Sequence, residues 1–320
     1  MSIFESTELA CPACGAINAF EAVHSVNADR RADLRRAILD GSFQRQPCVA
    51  CGNVFRLDTG FIYVELKKRH WIAARPVTGF DRWPKHEAEA RAIFDAARRH
   101  GVHAVEAYPY RAQPQTLELR ALLAAKAIGN VQLIQAAFGF PLTDTANIRM
   151  DPALAGGALM DAGSYPVSLV RTIAGARPAR VFAMSRWADS GVDLTTQATL
   201  QFSSGLLAQI SCTFAAARHR HAFIGGDAGS IATTYFNDTS ATFPPRLDVR
   251  RGTGWDAQHE VVETAPCNGF LAEAESFHDL VREGIARWVG ATPEESIDIA
   301  LMLDALAESA RTRAPVDIAA

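Results

Sequence analysis

The stretch GGALMDAGSYPVSLVR (156–171) decides how this chain is read. Paired glycines lead into an apolar turn, and Asp161, Tyr165 and Pro166 follow close together. Proline has no N–H and is tolerated in the first turn of a helix, so a helix is expected to open close to Tyr165. A carboxylate and a phenol then stand beside the free amides of a helix N-terminus, where a reacting oxygen can be held. The plainer reading packs Tyr165 at a helix start and makes Asp161 its cap.

Around that stretch, 320 residues suggest two domains. Hydrophobic residues make up 48% and charged residues 21%, the balance of a globular protein. A net charge of -3 argues against a nucleic-acid partner. The first hundred residues hold 15 Lys and Arg against 12 acidic residues, and the remainder 17 against 23. That excess is small, and Lys67, Lys68 and Arg69 read as a solvated basic face. No run approaches the roughly 18 apolar residues of a membrane span, and MSIFESTELACPAC lacks the basic and apolar regions of a secretory signal. Cytoplasmic residence is the expectation, and there disulfides are disfavoured.

Four of the six cysteines therefore need another explanation. CPACGAINAF (11–20) and CVACGNVF (48–55) repeat one pattern, Cys-x-x-Cys-Gly followed shortly by Phe. Two thiolates so spaced can face one ion, and the glycine permits the tight turn. Cys11, Cys14, Cys48 and Cys51 together supply the closed tetrahedral shell of a structural Zn²⁺; two redox dithiols or unrelated free cysteines are the alternative. ADRRADLRRAILDG (28–41) between the knuckles reads as a helix ending on Gly41, and GFIYVELKK (60–68) as a strand. Cys212 and Cys267 stand alone, in strand-like and loop-like surroundings.

The chain changes character within residues 83–111. HEAEARAIFDAARRHG places Ala90, Ile93, Phe94 and Ala97 at helical spacing with Gly101 as its stop. VHAVEAY (102–108) is expected as a short strand, one step of a parallel sheet without the neighbours such a strand requires. VQLIQAAF (131–138), TTQATLQF (195–202) and LLAQISCTF (206–214) read as strands of one sheet. Gly252, Gly254 and Ala257 spell G-x-G-x-x-A, but the strand-like QHEVVET after them makes this a hairpin turn, as it makes Gly225, Gly226 and Gly229 another.

Residues 1–85 resemble the bacterial CpXC domain, whose Cys-Pro-x-Cys is reproduced by Cys11, Pro12 and Cys14. The resemblance implies a metal-binding module without an assigned reaction. From about residue 87 the chain resembles the Gfo/Idh/MocA oxidoreductases, through AEARAIFDAARRHGV, EAYPYRAQPQ, AIGNVQLIQAAFGF, the stretch 146–171, TLQFSSGLLAQISCTF, IGGDAGSI and ESFHDLVREGI. That family joins an NAD(P)-binding Rossmann domain to a substrate domain built on an open, mostly antiparallel sheet. The implied fold is α+β: a small zinc-ribbon-like domain at 1–85, then a substrate domain at 86–320 with helices on one face of its sheet. Residues 86–111 are the remnant of the Rossmann half.

By resemblance, Tyr165 is the proton-transfer candidate and Asp161 orients substrate or tyrosine, while Arg149, Tyr110 and Arg111 line a cleft for a sugar or polyol. No Gly-x-Gly-x-x-Gly follows an initial strand, so no cofactor-binding residue is assigned. The family's Glu-Lys-Pro is absent too: Asp81 stands where its lysine belongs, and Lys85 has the wrong spacing. Three readings follow. The chain is a zinc module fused to a substrate domain that cannot bind NAD(P) by itself. Alternatively, it is an NAD(P)-dependent sugar or polyol dehydrogenase completed by another chain, or a non-catalytic metal-binding or interaction protein. A broad sheet face left bare by the helices predicts a homo-oligomer.

Overall fold

A computed structural model describes residues 3–57, 61–65, 70–74, 86–240 and 242–318. The chain divides into two compact units, Met1–Trp83 and Pro84–Ala320. Asp81 and Lys85 lie outside the described residues.

In the first unit, strands β1 (Ile3–Ala10) and β2 (Ile17–Asn27) pair antiparallel around the first knuckle. Helix α1 (Ala32–Leu39) follows, within the predicted stretch. Strands β3 (Arg45–Pro47) and β4 (Val54–Arg56) form a second hairpin around the second knuckle. Strand β5 (Phe61–Glu65) then pairs parallel to β2 and antiparallel to β6 (His70–Ala74), giving the order β1-β2-β5-β6. Cys11 and Cys48 are buried in a small core with Phe20, Ala22, Phe55 and Leu57, where the Phe20 and Phe55 rings meet edge to face at 5.2 Å.

The second unit opens with α2 (His86–Arg99), the amphipathic helix read from the sequence, in which Phe94 is buried and Ile93 exposed. The strand expected at 102–108 does not form. These residues are irregular, and the backbone of 103–107 makes no hydrogen bond to a described residue. A strand without a neighbour has nothing to hold its ladder.

Helix α3 (Pro114–Ala124) leads into a nine-stranded sheet whose framework is β7 (Val131–Gly139), β8 (Arg180–Trp187), β9 (Asp193–Gln201), β10 (Leu207–Thr213), β11 (His219–Gly226), β12 (Gly229–Thr234), β13 (Arg246–Arg251) and β14 (Gln258–Glu263). With β15 (Val316–Asp317) the spatial order is β14-β13-β12-β11-β7-β10-β9-β8-β15. Only β10 with β7 is parallel; the other pairs are antiparallel, as the α+β reading requires. The two glycine-containing segments dismissed as nucleotide loops are the β11–β12 and β13–β14 turns.

Period-two burial explains the two faces. Val181, Leu200, Ala208, Ile134, Ile224, Ile231 and Val249 lie on one register row across seven strands, all buried. Helices α4 (Ser164–Ala174) and α6 (Pro293–Thr312) pack on the sheet, α4 against β7 and β10 and α6 against β8. The adjacent row, Phe182, Thr199, Gln209, Gln135 and Phe223, faces outward. Helix α5 (Gly269–Glu283) starts on Asn268, whose side chain accepts from the Phe270 and Leu271 amides. Thr292 and Glu295 cap α6 reciprocally.

Candidate functional site

The two knuckles fold identically. Cys11 N–H donates to Ala16 O and Gly15 N–H to Cys11 O, both at 2.8 Å; Cys48 N–H donates to Asn53 O at 2.8 Å and Gly52 N–H to Cys48 O at 3.0 Å. Gly15 and Gly52 turn with φ of 75° and 70°, a region costly for other residues. Ala13 N–H and Ala50 N–H each point at the first sulfur of their knuckle, at 3.4 Å. Backbone N–H groups of Cys51 and Ala50 pull the Cys48 thiol down to about 6, against the opposing effect of burial.

The four Sγ atoms lie within 4.8 Å of one another, with Cys11–Cys51 at 3.7 Å and Cys14–Cys48 at 3.6 Å. Zn–S bonds of about 2.3 Å in a tetrahedron place sulfurs about 3.8 Å apart, so the donor set fits such an ion and leaves no open coordination position.

In the second unit, Asp161 and Tyr165 share the wall of a cavity of about 520 Å³ with Glu106, Tyr108, Ser164 and Ser296. Helix α4 opens at Ser164 with Pro166 in its first turn, as the sequence predicts. Its N-cap is Gly163, where a Cβ would lie 2.5 Å from Leu159 O and 2.9 Å from Cys212 Sγ. Only glycine lets the turn approach β10 so closely. The Asp161 side chain does not cap the helix: it accepts from Arg149 Nε at 2.8 Å. Both partners of that pair are partly exposed, so it aims the carboxylate more than it stabilises the fold.

Asp193 fixes this turn from beneath. It is buried, and its Oδ2 accepts from Leu159 N–H at 2.8 Å and Thr196 Oγ1 at 2.7 Å. Burial holds its carboxyl above the usual aspartate range, and those two donors oppose the shift.

Four tyrosines cluster here, and their protons are committed differently. Tyr108 donates to Glu106 Oε1 at 3.0 Å, Tyr235 to Ala137 O at 3.0 Å, and Tyr110 shares a 3.0 Å bond with Ser168 Oγ. The Tyr165 oxygen instead accepts from Asn237 Nδ2 at 3.2 Å, and among the described residues its own proton has no acceptor. Burial raises the Tyr108, Tyr110 and Tyr235 phenols above their usual range, and raises Glu106 as well.

Of the residues expected to line a cleft, Asp161 and Tyr165 come together at the cavity, with Arg149 held on Asp161. Tyr110 and Arg111 lie deeper. Tyr110 has no exposed surface, its ring 6.2 Å from that of Tyr165, and Arg111 is buried in an ion pair with Glu295 at 2.8 Å. Sequence reasoning missed Asp193, Asn237, Glu106 and Arg220. For Arg220 a signal was present: HRHAFIG alternates, and its inward positions are Arg220, Ala222 and Ile224.

The second unit is thus an open, mostly antiparallel sheet with helices on one face and a carboxylate and a phenol at a helix start. A model of the GFO/IDH/MocA C-terminal domain matches residues 116–232, and a CpXC protein model matches residues 9–126. D-xylose 1-dehydrogenase (NADP(+)) 2 of Haloferax volcanii is 33% identical over 252 residues, covering 78% of this chain and 73% of that protein. The trans-1,2-dihydrobenzene-1,2-diol dehydrogenase of Danio rerio is 37% identical over 144 residues, 45% of this chain and 43% of that one. The chain belongs to the GFO/IDH/MocA family of oxidoreductases. Among solved structures, aldose-aldose oxidoreductase from Caulobacter crescentus, complexed with glycerol, has a TM-score of 0.65 at 21% identity, covering 73% of this chain and 69% of that one. KijD10, a 3-ketoreductase from Actinomadura kijaniata in complex with NADP and TDP-benzene, gives 0.61 at 24%, covering 70% and 67%. At such identity these likenesses concern the fold.

Proposed function

We propose that this chain joins a structural zinc module, held by Cys11, Cys14, Cys48 and Cys51, to the substrate half of an NAD(P)-dependent sugar or polyol dehydrogenase. The observation that carries the second half is Tyr165, whose proton finds no acceptor among the described residues, on a cavity wall beside Asp161. In this reading Tyr165 Oη gives or takes the substrate hydroxyl proton. Asp161, aimed by Arg149, orients the substrate or the phenol. Glu106 and Ser296 offer further polar atoms to a hydroxylated ligand.

A nicotinamide dinucleotide is what the relatives imply; H. volcanii xylose dehydrogenase carries NADP(+) in its name. The described residues do not fit one. No glycine-rich strand-to-helix turn faces the cavity, and the G-x-G-x-x-A of residues 252–257 is a hairpin. We therefore derive no hydride step, and read the chain as inactive on its own. The backbone of 103–107 finds no partner among the described residues, which favours a second reading, completion by another chain that supplies the missing sheet.

Zinc by elemental analysis, together with NADP⁺ reduction by a panel of aldoses and polyols, tests the proposal. It expects one zinc per chain and no turnover; zinc far below one equivalent removes the module, and sustained turnover by the chain alone removes the claim of inactivity.

A further inference from the structure

On β11, pointing toward the helix-covered side of the sheet, Arg220 occupies a position whose neighbours on the same face are Ala222 and Ile224. It is 4% exposed. Its guanidinium carbon lies 4.2 Å from the centroid of the Tyr165 ring, 4.6 Å from Tyr235, 4.7 Å from Phe138 and 5.4 Å from Tyr110. Four aromatic rings thus enclose one cation, each within the distance at which ring and charge attract. Among the described residues no carboxylate pairs with it; its buried Nε and Nη2 have no hydrogen-bond partner, and the Tyr235 hydroxyl is the one polar group acting on the guanidinium through a hydrogen bond. Burying such groups unpaired is expensive, and an apolar side chain would fill this strand position at lower cost. Burial presses the guanidinium toward its neutral form while Tyr235, Tyr165 and Tyr110 resist, and arginine stays charged regardless.

We propose that Arg220 is a positioning residue for Tyr165, clamping the phenol's ring and holding a buried positive charge against its face. This rests on the reading of Tyr165 as the proton-transfer group. Two contacts then converge on that phenol: Asn237 donates to its oxygen, and Arg220 lies against its ring. The amide holds the oxygen and the guanidinium holds the ring of the phenol whose proton the proposed reaction moves. The other tyrosines of the box bond protein partners through their hydroxyls, Tyr110 with Ser168 and Tyr235 with Ala137 O, while the Tyr165 hydroxyl lies on the cavity wall.

The test reads the phenol directly and needs no turnover. The full chain carries five tyrosines, so labelling with ¹³Cζ-tyrosine gives five signals, and Tyr165→Phe assigns the one of interest. Arg220→Met removes the charge at similar length, and Arg220→Lys keeps the charge but loses the flat stack. The Tyr165 signal is expected to move in both, by roughly twofold or more further in Arg220→Met. A folded Arg220→Met whose Tyr165 signal stays in place overturns the proposal, as does equal displacement by Met and Lys. If Arg220→Met does not fold, Arg220→Gln takes its place with the same two outcomes. Separately, loss of the Tyr165 signal's response to a polyol would bear on the functional reading and leave the clamp standing.

Discussion

Replacing Asp193 by alanine tests how the candidate site is held. Its Oδ2 is the acceptor for two buried donors, the Leu159 amide at 2.8 Å and the Thr196 hydroxyl at 2.7 Å, and Thr196 has no exposed surface. Each donor left without an acceptor costs about 1–3 kcal/mol. Part of that is offset, because a buried carboxyl that resists ionisation is removed with it. The net loss expected is about 2–4 kcal/mol from the two orphaned donors. Asp193→Asn keeps one acceptor oxygen and should lose about half as much. The sign of the pH dependence follows from a folded-state pKa above the unfolded one. The protonated carboxyl contributes fully below the ordinary aspartate value of about 3.9, and its contribution fades as pH rises, so the deficit of Asp193→Ala should narrow from acid toward neutral pH. Urea unfolding at several pH values measures this, with hydrogen exchange at the Leu159 amide reporting the local effect. Variants within about 0.5 kcal/mol of the unsubstituted chain, the range of an ordinary surface change, would refute the argument.

Three other expectations follow from single contacts. Cys48→Ser removes one of four thiolates from a site of the kind that supplies on the order of 10 kcal/mol to folding; bound zinc should vanish and circular dichroism of the first unit should be lost, while retained zinc at one equivalent speaks against the site. Glu273, whose carboxyl burial pushes up to about 7, opposes folding increasingly as pH rises toward that value; Glu273→Gln should raise Tm progressively between pH 4.5 and 8, and a gain that does not depend on pH excludes the mechanism. On the open face of the sheet, Met184 is 68% exposed beside Phe182. Met184→Glu should convert the expected homo-oligomer to monomer in sedimentation at micromolar concentration, whereas a monomeric unsubstituted chain removes the premise.

The parts legible in the sequence were those with a local cause. The Cys-x-x-Cys-Gly repeat fixed both knuckles, because spacing and glycine determine the turn. Pro166 located the start of α4, and period-two alternation gave the strands of the large sheet. The failures were non-local. VHAVEAY has the composition of a strand, but a strand is made by its neighbours, and none pairs with it among the described residues. Tyr110 and Arg111 stand next to each other in a motif that suggests a cleft, yet the partners that bury them, Ser168 and Glu295, lie 58 and 184 residues away. Arg220 and Asn237 reach Tyr165 from distant segments as well, which no local pattern around residue 165 encodes.

On the function proposed above, a substrate half persists here without a dinucleotide site of its own. Titration of the purified full chain with NADPH, followed by nicotinamide fluorescence, tests it most directly. No saturable change is expected into the millimolar range. Saturable binding at micromolar NADPH would overturn that reading.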